Sequence, residues 1–451
     1  MKLKTILTAA LAVGATSSAL AQTTNIIDVT GATAFRNAAM RAITASFDTN
    51  GLKIVHDGNG DTLSVMYGAN KAIFLGTMPG ISGTTVVRTS WNGSAEGVNA
   101  IAGKNNPPFF TVAALANSLV WDGSAAKGSI TTPTETTSRP RFAFSDVLQK
   151  NTPVRTDLNG ARFTATADNV GVVTFAMVAN DGSDTNLQNV TVQQALALWK
   201  AGELPLSQFT GDPASVGKVF AMGRNDGSGT RASYLSEFKV GVARPVKQFI
   251  ATAAGVTNTN DAIGSITLVP SGGTGTGVLA TSGGAANASV LWGQSALVGN
   301  GGYASSSGIR DHVQRKSANT VVYDGVSTSP IYTGPLALVS WLSTSDVRTA
   351  SSGGARVLAY NGVKVTPIAT SGSYLSSGFS QADYEKITTG QYSPWNYQQF
   401  YRYGTLTAAE STFRTRLRAN IATALGVTAN GIPSASMNVD RLDDGAEIYG
   451  F

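Results

Sequence analysis

The sequence predicts an α/β fold, and three observations support this prediction. Short apolar runs rich in β-branched residues alternate with segments whose apolar residues recur at helical spacing. One apolar run, Val170 to Asn180, is continuous, as expected for a strand covered by helices on both faces. The chain has 451 residues, more than the ~150 typical of one domain. An α/β protein of more than one unit is therefore expected.

The first two segments of the chain with this pattern are each predicted to form a strand, a glycine-containing turn and a helix. Ile26 to Val29 is β-prone, Gly31 permits a sharp turn, and the apolar positions from Phe35 to Ile43 follow helical spacing. The second unit has a strand near Val86 to Arg88 and a short helix near Ala95 to Ile101. Both units place a turn at the end of a strand.

Later segments continue the pattern. Arg141 to Leu148 is an apolar strand that contains a Ser-Asp pair, and Val190 to Gly202 is a helix with an apolar stripe. Near the end of the chain, apolar residues from Phe413 to Leu425 predict an amphipathic helix whose basic residues face water. Because that basic cluster lacks interleaved aromatic residues, no nucleic acid is expected as a partner.

The segments between these predicted elements are polar and rich in glycine. Charged residues make up 13 % of the chain, against a typical ~25 %, and there are 50 glycines. Stretches rich in Gly, Ser, Thr and Pro at 104–140, 270–287 and 343–354 are predicted to be surface insertions or long loops. The role of the insertions 104–140 and 270–287 stays open.

The first 21 residues predict a secretory signal peptide. Lys2 and Lys4 precede a short apolar core, and Ala19-Leu20-Ala21 is a small-x-small cleavage site that leaves Gln22 as the mature start. The chain contains no Cys, which excludes disulfides, thiol chemistry and a lipid-anchored cysteine. A periplasmic or secreted protein is expected.

The stretch GRNDGSGTRASYL, Gly223 to Leu235, is the strongest candidate for binding chemistry. Its glycines allow a ligand to approach backbone N–H groups, and the residues that follow begin a helix, whose N-terminus attracts anions. Ser228 and Thr230 add hydroxyl donors, and Arg224 adds a planar fork suited to oxyanions. Anion binding and an ordinary capped turn both explain this stretch when it is taken alone.

Three other loops could contribute residues to the same binding site as Gly223 to Leu235. Thr33 in GATAF and Ser94 in NGSAEG follow predicted strands, and Asp146 lies at the end of a third strand. Ligands of open α/β sheets bind beyond the carboxyl ends of the strands. We therefore expect these loops to meet at one site.

The order of these motifs, GATAF, NGSAEGV, FSDVL, VVTFAMVAN and GRNDGSGT, resembles the phosphate-binding proteins of ABC transporters in the type II periplasmic-binding-protein superfamily. The later segments SGIRDHVQR, ALVSWLSTSD and RVLAYNGV fit the same order. The resemblance implies a two-lobed fold with a mixed sheet in each lobe and a hinge of crossing strands. Lobe I is expected at 23–170 plus 335–451, and lobe II at 171–334.

The resemblance also implies a phosphate site between the lobes. Its expected ligands are Thr33, Phe35, Ser94 and Asp146 from lobe I, and Arg224, Ser228, Gly229 and Thr230 from lobe II, with Asp226 supporting Arg224. The first motif departs from the family, because Ala34 separates Thr33 from Phe35. A carboxylate at Asp146 favours an anion that carries a proton, and so favours phosphate over sulfate.

The predicted function is capture of inorganic phosphate outside the cytoplasmic membrane for delivery to an ABC permease, by a monomer without catalysis, cofactor or metal. Three alternatives remain open. One is a secreted surface or adhesive protein on the same scaffold, suggested by the Gly, Ser and Thr content. The second is a binder of a different oxyanion or of a phosphorylated ligand. The third is an enzyme that acts on phosphoesters, against which the two separated histidines, His56 and His312, argue.

Overall fold

The structure is a computed structural model that describes residues 24–450, apart from 122, 124–127, 129–133, 153, 253–261, 270–300, 304, 319, 370–372 and 426–430. The predicted signal peptide at 1–21, the mature start at Gln22 and the insertion at 270–287 lie outside the described residues. No helix in the described ranges has the length and apolar character needed to cross a bilayer.

Strands and helices alternate along most of the described chain. The strands are β1 Thr24–Gly31, β2 Lys53–His56, β3 Lys71–Met78, β4 Ile81–Ser90, β5 Pro108–Phe110, β6 Leu119–Val120, β7 Glu135–Thr137, β8 Phe142–Ser145, β9 Thr166–Ala179, β10 Asn189–Val190, β11 Glu203–Pro205, β12 Lys218–Met222, β13 Phe249–Thr252, β14 Ser265–Leu268, β15 Val321–Tyr323, β16 Leu336–Ser343, β17 Arg356–Val357, β18 Ala359–Tyr360, β19 Trp395–Arg402, β20 Val439–Asp440 and β21 Tyr449–Gly450. The helices are α1 Arg36–Thr44, α2 Leu63–Gly68, α3 Ser94–Ile101, α4 Val192–Ala201, α5 Ser207–Thr210, α6 Gly229–Glu237, α7 Ser306–Val313, α8 Thr344–Ser352, α9 Gln381–Thr388 and α10 Ala408–Leu425.

The sheet of lobe I is built around β1. β1 pairs in parallel with β4 on one side and β8 on the other, and β19 lies antiparallel to β8. β3, β2 and β6 extend the sheet beyond β4. α10 packs over this sheet through Phe413, Leu417 and Ile421, which are all fully buried, so the predicted amphipathic helix is confirmed.

The sheet of lobe II repeats this arrangement around β12. β12 pairs in parallel with β16 and β13, and β9 lies antiparallel to β16. In both lobes the parallel strands end at the same edge, which is the edge where α/β proteins bind ligands.

Strand β9 joins the two lobes. Its residues Thr166–Thr174 pair with β19 of lobe I, and Phe175–Ala179 pair with β16 of lobe II. The predicted continuous run therefore forms one long strand that passes from one sheet into the other. The expected two-lobed α/β fold, with mixed sheets flanked by helices, is confirmed, and β9 is a strand that connects the two sheets.

The lobe boundaries remain predictions. The segment 335–451 is predicted to belong to lobe I, whereas β16 at its start pairs with β12 over five residues. A buried strand reads as a uniform apolar run and does not reveal its partner. We propose that the chain returns to lobe I between β18 and β19.

Two of the predicted loop regions contain regular structure. Within 104–140, β5 pairs with β7 and β6 pairs with β2, while Phe109 and Phe110 are fully buried. The stretch 343–354 forms α8, which buries Val347 and Ala350. In both places a few well-spaced apolar residues outweigh the polar composition around them.

Candidate functional site

Three loops of lobe I meet at the carboxyl edge of its sheet. In the parallel register, Thr30 lies opposite Ser90, and Gly31 lies opposite Phe144. The backbone then ties the loops together, since Gly93 N donates to Gly31 O at 3.0 Å and Ala32 N donates to Phe144 O at 2.8 Å. The residues that follow these strand ends therefore share one edge.

Ser94 and Asp146 form the centre of the lobe I surface. Ser94 is the first residue of α3, and its hydroxyl donates to Oδ1 of Asp146. The backbone N–H of Asp146 donates to Oγ of Ser94 at 3.2 Å, and Asn396 of β19 donates to the carbonyl of Asp146 at 3.1 Å. These bonds hold the carboxylate in one position, where it is only 2 % exposed.

Thr33 and Phe35 lie at the start of α1. The Phe35 ring is buried and packs against Phe144 with ring centroids 5.5 Å apart. Phe35 is the N-cap residue of α1, and its carbonyl accepts from Ala39 N. Thr33 is partly exposed and lines a cavity in the cleft.

The loop of lobe II follows β12 and leads into α6. Ser228 is the N-cap of α6, and its hydroxyl accepts from Arg231 N at 3.3 Å. Gly229 and Thr230 form the first turn, so their N–H groups lie at the positive end of the helix. Asp226, Ser228 and Thr230 are all buried.

Arg224 is held rigidly behind this turn. Its Nη1 donates to Oγ of Ser306 at 2.6 Å, and its Nε donates to the carbonyl of Tyr303 at 3.1 Å. The Arg224 carbonyl in turn accepts from Gln248 Nε2 and Arg231 Nη1. A guanidinium fixed in this way needs little reordering when an anion binds.

The two lobes touch at the predicted ligands. A β-carbon on Gly229 of lobe II would overlap Oδ1 of Asp146 and Oγ of Ser94 of lobe I. A β-carbon on Gly93 would lie 2.8 Å from the carbonyl of Gly227, and Gly93 has a φ of 115° that favours glycine. The missing β-carbons thus let Gly229 approach two side chains of lobe I, and let Gly93 approach the backbone of Gly227.

Asp146 and Arg224 affect each other's pKa through their opposite charges. Burial raises the pKa of Asp146, whereas the Ser94 hydrogen bond and the Arg224 charge lower it. Burial lowers the pKa of Arg224 to about 10, opposed by the charges of Asp346 and Asp146. Arg224 thus stays protonated at neutral pH and faces carboxylates of both lobes.

A cavity of about 370 Å³ lies in the cleft beside this contact. Its lobe I wall includes Thr33, Arg36 and Asn70, and its lobe II wall includes Ser306, Arg310 and Asp346. Ser306 links the cavity to Arg224 through the 2.6 Å hydrogen bond.

The structure thus brings Ser94, Asp146, Arg224 and Gly229 together, with Ser228 and Thr230 in the same turn. Thr33 lies at the same edge and is the member of the predicted set that lines the cavity. Their roles as phosphate ligands, and the pairing of Asp226 with Arg224, remain predictions. The described residues contain no cluster of three or more His, Cys, Asp or Glu side chains suited to a metal ion.

Sequence reasoning missed Ser306 and Asp346. Both lie within or next to the segments SGIRDHVQR and ALVSWLSTSD that supported the family resemblance, but no side chain in those segments was assigned to the site. Asp346 belongs to α8, in a stretch predicted to be a loop. Asp346 lies in the first turn of α8, directly after the buried strand β16, and this position could have indicated a site residue.

Among known proteins, similarity to this chain was found only in solved structures, at low sequence identity. No family model matches the chain, and no curated protein matches it. Solved structures similar to the chain include an ABC-type phosphate transport receptor from Vibrio cholerae, with 10 % identity, a TM-score of 0.41 and coverage of 90 % of this chain and 99 % of that one.

Two further similar structures are PstS from Borrelia burgdorferi and a high-affinity periplasmic phosphate-binding protein bound with phosphate. The first has 9 % identity, a TM-score of 0.35 and coverage of 88 % of this chain and 92 % of that one. The second has 11 % identity, a TM-score of 0.35 and coverage of 91 % of each chain. At these identities and scores, any inference about the ligand must come from the residues themselves.

Proposed function

We propose that this protein binds phosphate between its two lobes and delivers it to an ABC permease from outside the cytoplasmic membrane. The observation that carries the proposal is the direct contact of Ser94 and Asp146 in lobe I with Gly229 in lobe II, beside the buried Arg224. Hydroxyls, a helix N-terminus and a guanidinium from both lobes would then surround one small oxyanion. Separation of the lobes would release it.

Electrostatics favour an anion that carries a proton. Arg224 and the N-terminal N–H groups of α6 supply positive potential, which attracts any oxyanion. Asp146 supplies a buried acceptor that would repel a fully deprotonated anion such as sulfate. A phosphate that keeps a proton can donate it to the Asp146 carboxylate, whereas sulfate has no proton to donate.

Delivery to a permease and an extracytoplasmic location rest on the motif resemblance and on the predicted signal peptide. In this function, binding and lobe closure are the whole mechanism, and no residue is assigned a catalytic role. The competing surface or adhesive role would not need an anion site closed by two lobes.

The test is calorimetric titration of the purified protein with phosphate, arsenate and sulfate. We expect saturable phosphate binding with a stoichiometry of one and much weaker sulfate binding. Arg224→Gln should weaken phosphate binding at least about tenfold, because a charge-assisted hydrogen bond contributes ~1.5–3 kcal/mol.

Arg244→Gln is the matched control, because it removes the same charge from an exposed position in lobe II. It should leave phosphate affinity unchanged. Absence of phosphate binding by the folded wild-type protein would refute the proposal and favour the surface role. An equal loss in both Arg variants would refute the site.

A further inference from the structure

The cavity beside the anion site is larger than inorganic phosphate requires. Its volume of about 370 Å³ lies within the ~300–1,000 Å³ range of small-molecule pockets. A tetrahedral oxyanion has only five heavy atoms, so the space is sufficient for a ligand with a substantial second part.

The cavity is lined from both lobes and is linked to the anion site by two residues. Thr33 of lobe I is a predicted phosphate ligand and also lines the cavity. On the lobe II side, Ser306 lines it and accepts the hydrogen bond from Arg224. A ligand with its anionic end at Arg224 would extend past these two hydroxyls into the cavity.

The walls of the cavity suit uncharged hydroxyl groups. Arg36 donates to Oδ1 of Asn70, and Arg310 lies 3.8 Å from Asp346 and 2.8 Å from Asp311. The charge of Arg310 is thus balanced by two carboxylates, and the charge of Asp346 also attracts Arg36. Hydroxyls can accept from the Arg groups and donate to Asp346 or Asn70, whereas a second phosphate would be repelled by Asp346.

We propose that the ligand is a phosphomonoester of a small polyol, with its phosphate between Asp146 and Arg224 and its hydroxyls in this cavity. The proposal rests on the proposed function, because it keeps the same anion site and changes only what is attached to the phosphate. One proton must be shared between the ester and Asp146. Because the second pKa of a phosphoester is ~6, the ester should bind more tightly at pH 5.5 than at pH 7.5.

The test is calorimetric titration with orthophosphate, methyl phosphate, glycerol 3-phosphate and glycerol at both pH values. Methyl phosphate has the ester bond without the hydroxyls, and glycerol has the hydroxyls without the phosphate. We expect glycerol 3-phosphate to bind at least about tenfold more tightly than methyl phosphate, which corresponds to one or two added hydrogen bonds. Glycerol alone should show no binding.

Two cavity variants test whether the cavity side chains cause the preference for glycerol 3-phosphate over orthophosphate. Arg310→Gln, at a side chain that is 28 % exposed, should lower the ratio of glycerol 3-phosphate affinity to orthophosphate affinity about tenfold. Asn70→Ala should lower the same ratio from the lobe I side, and Arg244→Gln should not change it. Thermal unfolding of each variant verifies that it is folded.

The outcomes separate the two proposals. If orthophosphate binds and glycerol 3-phosphate binds no better than methyl phosphate, the polyol ester is refuted and phosphate capture stands. An unchanged affinity ratio in both cavity variants also refutes it. If no phosphate compound binds, the proposed function fails together with this inference.

Discussion

At the scale of single residues, Gly229 decides whether the two lobes can meet. Any side chain at this position would overlap Oδ1 of Asp146 and Oγ of Ser94. Gly229→Ala should therefore hold the lobes apart and weaken phosphate binding about tenfold to a hundredfold. Overpacking a close contact costs ~1–3 kcal/mol, and each ~1.4 kcal/mol is a factor of ten in affinity. Titration calorimetry of the variant measures the loss.

Gly264→Ala is the control for this substitution. Gly264 is exposed in lobe II, and a β-carbon there would meet nothing within 4 Å. Its phosphate affinity should equal that of the wild type. Equal affinities in the two alanine variants would show that the contact between Gly229 and Asp146 does not form part of the bound state.

Asp146 is the residue expected to discriminate between anions. Asp146→Asn replaces a buried acceptor with a side chain that can also donate, so a fully deprotonated anion is no longer repelled. We expect sulfate to bind more tightly and phosphate more weakly, with the affinity ratio of phosphate to sulfate falling at least about tenfold. The exposed Asp212→Asn serves as the control for the lost charge. A ratio that stays at the wild-type value in Asp146→Asn would contradict this role.

At the scale of elements, the N-cap of α6 has two functions that a pair of variants can separate. Ser228 caps α6 at the anion site, and Ser380 caps α9 in an exposed position, each through a hydrogen bond from the third helical N–H. Ser228→Ala and Ser380→Ala should each lower the free energy of unfolding by ~0.5–2 kcal/mol. Only Ser228→Ala should also weaken phosphate binding. Denaturant unfolding and calorimetry measure the two effects, and equal phosphate affinities would leave Ser228 with a capping role alone.

The sequence predicted elements that carry a strong local pattern. The strand, glycine turn and helix around Gly31, and the N-cap at Ser228, follow from short-range backbone preferences, and both are present. Helix α8 was missed because its stretch is rich in Ser, Thr and Gly, while the buried Val347 and Ala350 stabilise the helix by packing. Asp346 was missed with it.

The assignment of elements to lobes depends on pairing between distant strands. The run that forms β16 does not reveal that β12 and β9, rather than β19, lie beside it. The same limit explains why Ser306 was missed, since its contact with Arg224 joins residues 82 positions apart. Local patterns thus predicted the individual loops of the site, and tertiary pairing decided which of them share the cleft.

At the scale of the whole molecule, the C-terminal segment Arg441–Gly445 contacts both lobes. On the lobe I side, Oδ2 of Asp444 accepts from Leu148 N and from Asn151 Nδ2, each at 2.7 Å. On the lobe II side, Lys239, two residues after α6, donates to the carbonyl of Gly445. Because Leu148 is two residues from Asp146, this segment connects the anion-binding loop to the far end of α6.

The charges around Asp444 come from several elements. Asp443 lies beside it and pairs with Lys150 at 2.9 Å, and Arg441 in the same segment lies 3.5 Å from Glu237 of α6. The pKa of Asp444 is raised to about 7, chiefly by burial and also by the charge of Asp443, although the hydrogen bonds from Asn151 and Leu148 and the charge of Arg441 lower it. The folded protein therefore binds a proton at Asp444 that the unfolded chain releases near pH 4.

This difference in pKa predicts how stability changes with pH. A carboxyl whose pKa is raised by folding stabilises the protein fully below its unfolded pKa, and this contribution is lost as the pH rises to about 7. The free energy of unfolding of the wild type should thus fall relative to that of Asp444→Asn between pH 4 and pH 7, by at most ~1.4 kcal/mol for each pH unit. Urea unfolding of both proteins at pH 4, 5, 6, 7 and 8 measures the difference, with Asp212→Asn as the control for removal of one exposed charge. Parallel profiles for the wild type and Asp444→Asn would show that the segment is held to the lobes without this proton.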